Sequence, residues 1–383
     1  MGINRRELLG AGMALGVGAA TAGMGLAANS ASAQEQPSAT EFGSNSKNGS
    51  IVRDFAGNGK QTSMVDMNYK PKRLNKCIEL WEAGCPIFYA TYAPSGLVDD
   101  AYETGKAMAK TYADAINYEC EQGVFDMSNL RKFMQGLADG GPTRSGHRTP
   151  MVFASLPVTG RNRAYVEANS WVIAQALAAG VQSIDICHAR DPEAIEMVVA
   201  SMRYPFHNVP NTPELPIEGL RGNGSESFAS HIWGITVNKY LHVADVWPLN
   251  PRGEICLGLK IEDHWAQTNA AKTLAVPGVA FAEWGGGDST MSDLGLAAYP
   301  ENEPPRTPGS GGPGPGSRME DPILTKARLS VLASCKANNI KPLNMGNGRT
   351  PLENFKQGTM VMGAGNEDGI LECREFCKRT MPI

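Results

Sequence analysis

The sequence has almost no excess charge of either sign: 35 Lys and Arg stand against 39 Asp and Glu, a net charge of −4. Without a clustered basic face there is no electrostatic footprint for nucleic acid. No internal repeat recurs at a solenoid or propeller period. Beyond the N-terminal region, no apolar run is long enough to span a membrane. His147, His207, His231, His242 and His264 never fall into a His-x3-His metal spacing. Ser155 has no base near it in sequence and no Gly-x-Ser-x-Gly elbow occurs, which argues against a serine hydrolase. The first β-prone run leads into "TYAPSG", which lacks the glycine pattern of a dinucleotide-binding turn.

What is present begins with the N-terminus. "NRRELLGAGMALGVGAATAGMGLAANSASA" pairs Arg5 with Arg6, continues as a weakly apolar Gly/Ala run, and ends in the small-residue site Ala31-Ser32-Ala33. This pattern predicts a cleaved export signal over 1–33, and the paired arginines assign it to the twin-arginine (Tat) machinery. Cleavage removes two arginines and one glutamate, leaving 33 basic and 38 acidic residues in a periplasmic or secreted product with no membrane span. Residues 34–69 are polar and predict a flexible leader.

From residue 70 onward, β-prone runs at 87–91, 115–119, 151–155, 183–187, 255–261, 279–284, 340–344 and 359–362 alternate with helical stretches such as 129–138, 165–179, 192–202, 264–274 and 322–337. Eight strands alternating with helices predict an α/β fold, a closed (β/α)8 TIM barrel over 70–383. The segment 301–321 is dense in Pro and Gly and is expected to be a surface insertion, with a lid or assembly contact as the other reading. Of the eight cysteines, Cys120, Cys187 and Cys256 lie in apolar runs and read as buried thiols. Cys373 and Cys377, one helical turn apart, are a weak disulfide or metal pair.

Chemistry concentrates in two adjacent strands. In "EICLGLKIED", the two-residue side-chain period points Lys260 and Glu262 to one face, with Glu262 at the C-terminal end where barrel sites are built. The next strand runs into "FAEWGGGDSTMSDLG", where Gly285, Gly286 and Gly287 precede Asp288. Two carboxylates on neighbouring strand ends suit a hard divalent cation; two solvated loop acids are the plain alternative.

The run "LGLKIEDHWAQTNAAKTLAVPGVAFAEWGGGDSTMSDLG" resembles the core of the HpcH/HpaI aldolase family, which includes citrate-lyase-like β subunits, and "MRYP" and "GLRGNG" (219–224) resemble its upstream run. The resemblance implies a phosphoenolpyruvate/pyruvate-type TIM barrel and a homo-oligomer, often a hexamer. It also implies Mg2+, Mn2+ or a similar ion such as Co2+ on Glu262 and Asp288. The implied activity is a carbon–carbon lyase of aldolase type acting on a small oxo- or hydroxy-acid.

The sequence also departs from the family. In "ECEQG" the family's catalytic His position holds Gln122, and Gln is no base near neutral pH. The family's substrate-binding Arg aligns with Ser155, and the Asp supporting its His aligns with Ala178. Lys260 and Glu283 replace a neutral amide and an apolar residue. Lys260 is therefore a candidate for the missing positive charge, or else a salt-bridge partner of Glu262 or Glu283. Glu283, Glu121 and His188 are candidate bases or ligands, His188 with a bland loop role as its alternative. Gln122, Ser155 and the three glycines are the candidate substrate contacts, the glycines by turning tightly and letting backbone approach substrate. Arg221 either contacts substrate or braces its turn. Metal-assisted hydrolysis or hydration, and binding without catalysis, remain open beside the lyase reading.

Overall fold

A computed structural model describes residues 59–94, 100–207, 219–298 and 320–383. The expected signal 1–33, the leader up to residue 58 and nearly all of the Pro/Gly segment lie outside the described residues. In chain order the elements are α1 (Lys76–Glu82), β1 (Ile87–Tyr92), α2 (Ala101–Met108), β2 (Ala115–Glu119), α3 (Met127–Gly140), β3 (Met151–Thr159), α4 (Arg163–Ala178), β4 (Ser183–Cys187), α5 (Pro192–Met202), α6 (Glu226–Trp233), α7 (Val237–Val243), β5 (Val246–Trp247), β6 (Ile255–Lys260), α8 (His264–Thr273), β7 (Val279–Glu283), α9 (Gly286–Leu294), α10 (Pro322–Ala337), β8 (Lys341–Leu343), α11 (Pro351–Lys356), β9 (Val361–Gly363) and α12 (Glu367–Phe376).

Eight of these strands close a parallel barrel in the order β1-β2-β3-β4-β6-β7-β8-β9, with β9 returning to β1. The two-residue β5 pairs only with the start of β6 and stands outside the ring. The predicted eight-stranded TIM barrel is the observed fold, with strand ends displaced by a residue or two except in β3, which runs four residues further than expected, to Thr159.

The strand period explains how the core divides. Ile116, Tyr118, Val152, Ala154, Ile184, Ile186, Leu257 and Leu259 point outward and pack beneath the helices in one large cluster. The alternate positions Ala115, Met151, Phe153 and Cys256 point inward, and with Ile87, Phe281, Leu343 and Val361 they fill the lower barrel. Gly258 belongs to this inner set; a Cβ there would collide with the Phe281 ring. Above this apolar plug, the upper, C-terminal end of the barrel holds the polar side chains of the mouth.

The opposite end is closed by charge. Asp114, fully buried, meets Lys76 Nζ at 3.1 Å, Arg379 at 2.8 Å and Arg374 at 3.4 Å. Residues 59–69, which composition placed in the leader, run beside the chain's end. Thr62 Oγ1 donates to Arg379 O at 2.9 Å, and Gln61 pairs with the Ile383 backbone. Cys120, Cys187 and Cys256 are buried thiols. Cys377 Sγ lies 2.6 Å from Cys85 Sγ rather than beside Cys373.

Candidate functional site

The upper barrel is built strand by strand. β2 ends at Glu119, whose Oε1 accepts the backbone N–H groups of Glu121 (2.8 Å) and Gln122 (3.2 Å), folding "CEQG" over the mouth. That fold brings Glu121 across to Lys260, with Nζ and Oε2 2.6 Å apart. β4 ends at Cys187, and the next residue, His188, takes φ 46°, a left-handed conformation unusual for a side chain of this size. In that pose the His188 N–H donates to Glu262 Oε1 at 3.0 Å, and Nδ1 sits 2.8 Å from Asp263 Oδ2. Asp263 also caps α8 through Ala266 N–H and accepts from Arg190 Nε at 2.9 Å. Across the barrel Asn344, at φ 49° after β8, donates to Tyr89 Oη at 2.7 Å and hydrogen-bonds Glu283.

One ligand atom from each of Glu121, Cys187 and Glu262 lies within 4.8 Å of the other two. Asp288, in the first turn of α9, faces the same carboxyls; it raises the cost of ionising Glu262, and Glu121 raises that of Asp288. Asp185, inward-facing on β4 and 1% exposed, leaves Oδ1 without a hydrogen-bond partner. Six carboxyls therefore converge on the mouth (Glu119, Glu121, Asp185, Glu262, Glu283 and Asp288). The cations placed among them are Lys260 and, when protonated, His188, whose Nδ1 lies 3.6 Å from Glu262 Oε1 as well as 2.8 Å from Asp263 Oδ2; Arg190 is engaged with Asp263.

The titration shifts follow from this imbalance. Burial, then repulsion from Glu121 and Asp288 and only partly offset by Lys260, pushes the Glu262 carboxyl up to about 7. Burial likewise raises Asp288, Glu283 and, most strongly, Asp185. Burial also acts upward on Glu121, but the Lys260 ammonium and hydrogen bonds from Cys187 and Lys260 hold it below the ordinary range. Lys260 is desolvated, yet Cys187, Glu119, Glu121 and Glu262 together hold it well above 10.5. His188 is raised chiefly by its bond to Asp263. Buried carboxyl groups around too little positive charge, one of them with an unpartnered oxygen, are a donor set that suits a divalent cation.

The expected residues separate under this geometry. Glu121, His188, Lys260, Glu262, Glu283 and Asp288 share the mouth. Lys260 pairs with Glu121, not with the expected Glu262 or Glu283, because the β2–α3 loop folds inward. Ser155 lies level with Glu119 and Asp185 in the barrel register, is fully buried, and donates to Asn117 Oδ1 at 3.0 Å. Gln122 is exposed on the loop. Arg221 braces rather than binds, since it donates to Tyr240 Oη and stacks 4.3 Å over Tyr204.

The glycines also work differently from the expected tight turn. Gly285 has φ −79° and caps α9, and Gly286 and Gly287 begin that helix. What Gly285 admits is Glu262: a Cβ would stand 2.6 Å from Glu262 Cβ and 2.8 Å from Oε2. Sequence reasoning missed Asp263, Arg190, Asp185, Cys187 and Asn344 as site residues. The "IED" triplet and the inward parity of 183, 185 and 187 were the available signals.

A cavity of about 960 Å3 adjoins this mouth at Glu283, Gly286 and Gly287; Asn344 and the 346–351 loop bound it further, Arg349 is the cation among its described lining residues, and Glu121, His188, Lys260, Glu262 and Asp288 are not in its lining.

No protein-family profile and no curated protein matches the chain. Solved structures do. A HpcH/HpaI aldolase/citrate lyase family protein from Burkholderia cenocepacia J2315 is 16% identical, covers 78% of this chain and 95% of its own, and has a TM-score of 0.53. The HpcH/HpaI aldolase from Desulfitobacterium hafniense DCB-2 gives 16%, 78%, 93% and 0.52. Macrophomate synthase is 18% identical, with 78% and 87% coverage and a TM-score of 0.50. At these identities the likeness establishes the fold.

Proposed function

We propose that the chain is a divalent-cation-dependent carbon–carbon lyase of aldolase type, acting on a small oxo- or hydroxy-acid. The observation that carries this reading is the excess of buried carboxyls over Lys260 at the barrel mouth. Glu262 and Asp288 hold the cation. When bound, it supplies Lewis acidity toward negative charge developing on a ketone oxygen. Lys260 is held protonated and so is not a free amine nucleophile, which argues against imine chemistry.

His188 takes the role of the missing β2 base. With the Nδ1 proton donated to Asp263, Nε2 is left to accept a hydroxyl proton. Loss of that proton forms the new carbonyl and breaks the adjacent carbon–carbon bond, whose electron pair passes toward the oxo-acid's ketone oxygen. Glu121, ionised against Lys260, keeps that ammonium in place. Arg349, across the cavity, takes the substrate carboxylate in place of the arginine that Ser155 replaces. The Arg-to-Ser change keeps metal-assisted hydration or hydrolysis as the second reading. Export through the twin-arginine route and homo-oligomeric assembly complete the proposal.

The test is a retro-aldol assay over a panel of 4-hydroxy-2-oxo acids with Mn2+ or Mg2+, read by release of the 2-oxo acid. Turnover that requires the cation and disappears in Glu262→Ala and Asp288→Ala supports the lyase. Cation binding with no cleavage of any panel member transfers the site to the second reading.

A further inference from the structure

Cys187 has no part in the reading above, yet it is the last residue of β4 and points into the barrel on the same face as Ser183 and Asp185. It is fully buried. Its Sγ is grouped with carboxylate oxygens of Glu121 and Glu262 inside 4.8 Å, a spread that one ion can bridge. Its backbone contact is long, with Leu156 O 3.7 Å away, and its other hydrogen bond goes to Glu121, a member of the same group. Two residues earlier on the same face, the buried Asp185 Oδ1 has no partner at all. A side-chain set made only to neutralise Lys260 would not need a sulfur in it or leave that oxygen bare.

We infer that Cys187 is a protein ligand of the cation held by Glu262, which makes this centre a carboxylate–thiolate site for a borderline ion such as Co2+, Zn2+ or Fe2+ in preference to Mg2+. The inference rests on the cation reading above and narrows it. Hard Mg2+ and Ca2+ take oxygen donors, whereas thiolate favours the later first-row ions. Burial keeps the free thiol protonated, and the proton leaves when the ion binds. In that exchange the S–H bond breaks, a metal–sulfur bond forms without change of oxidation state, and the proton passes by way of the adjacent Glu121 to solvent.

The experiment is a Co2+ titration of the full chain after removal of metal by chelation, followed by absorbance and by proton release in weak buffer. A thiolate-to-cobalt charge-transfer band in the near ultraviolet is expected at one ion per chain. It should be accompanied by about one proton released from the thiol. Cys187→Ser abolishes the band and lowers Co2+ affinity at least about tenfold, with a smaller loss for Mn2+. Cys377→Ser keeps the band, which separates the site from the Cys85–Cys377 contact. Co2+ bound without the band, or a band that survives Cys187→Ser, overturns the thiolate ligand while leaving the cation reading in place. Equilibrium dialysis that finds neither Co2+ nor Mn2+ bound removes both. Should Cys187→Ser not fold by circular dichroism, X-ray absorption of the Zn2+-loaded natural chain decides. A sulfur scatterer at about 2.3 Å supports the proposal, and a shell of oxygen and nitrogen alone overturns it.

Discussion

Replacing Glu262 by Gln in metal-stripped protein should change how stability depends on pH, with a sign fixed by the site. The Glu262 carboxyl stands at about 7 in the folded chain against 4.5 for the ordinary group. Between those values the folded state binds the proton and the unfolded state does not, so stability falls as pH rises. The contribution is fully present below 4.5 and is lost as pH climbs through 7. A displacement of that size corresponds to about 3 kcal/mol, partly shared with Glu121, Lys260 and Asp288. Glutamine has no such titration. The assay is paired urea unfolding of both proteins in chelator at pH 5, 6, 7 and 8. The stability difference, wild type minus variant, should fall by about 2–3 kcal/mol across that range, or about 5 °C in parallel melts. His188, raised chiefly by its bond to Asp263 and further by Glu262, loses stability in the same direction; the Asp263 part is common to both proteins, and the Glu262 part adds to the difference. Adding Mn2+ at pH 8 to about 100 times its Kd should restore about 2.7 kcal/mol to the wild type. It should restore much less to the variant. A difference that stays flat from pH 5 to 8 refutes the claim that Glu262 is a buried carboxyl short of compensating charge.

Three other outcomes follow from the same geometry. Gly285→Ala presses a methyl against Glu262 Cβ and Oε2, so Mn2+ affinity measured by calorimetry should fall about tenfold or more while the fold is kept. Asp263→Asn removes the partner that raises His188, and an NMR titration should show that imidazole titrating at lower pH than in the wild type. Asp114→Asn leaves Lys76, Arg374 and Arg379 buried without their counter-charge, and urea unfolding at pH 7 should show a loss of about 3–5 kcal/mol. Because those cations, working against burial, depress the Asp114 carboxyl, its contribution is present above its unfolded pKa and is lost as pH falls, so the variant should be less acid-sensitive than the wild type.

The barrel was legible because eight β-prone runs alternate with helical stretches, and each run, once read as a strand, carries a two-residue side-chain period. Lys260 and Glu262 followed from that parity, and Asp288 followed from lying just beyond the next strand. The short strand β8, three residues long and containing Pro342, was legible only as a region, since proline removes a ladder N–H. The run after Trp284 was misjudged because three glycines read as a turn. In the structure a helix begins there, stabilised by its packing and not by its propensity.

By itself, then, the sequence determined the closed parallel barrel, the end of it that holds polar groups, and the two acids on adjacent strand ends. Those are consequences of local periodicity, which each segment carries without its neighbours. Only the tertiary structure decided the electrostatics. Lys260 is joined to Glu121, 139 residues away. His188 is turned into a left-handed pose that ties it to Glu262 and Asp263. Cys187 and Asp185 become neighbours of carboxyls from other strands. Pairings of that kind depend on barrel closure, and charge compensation inside a low-dielectric interior depends on distances that no single strand encodes.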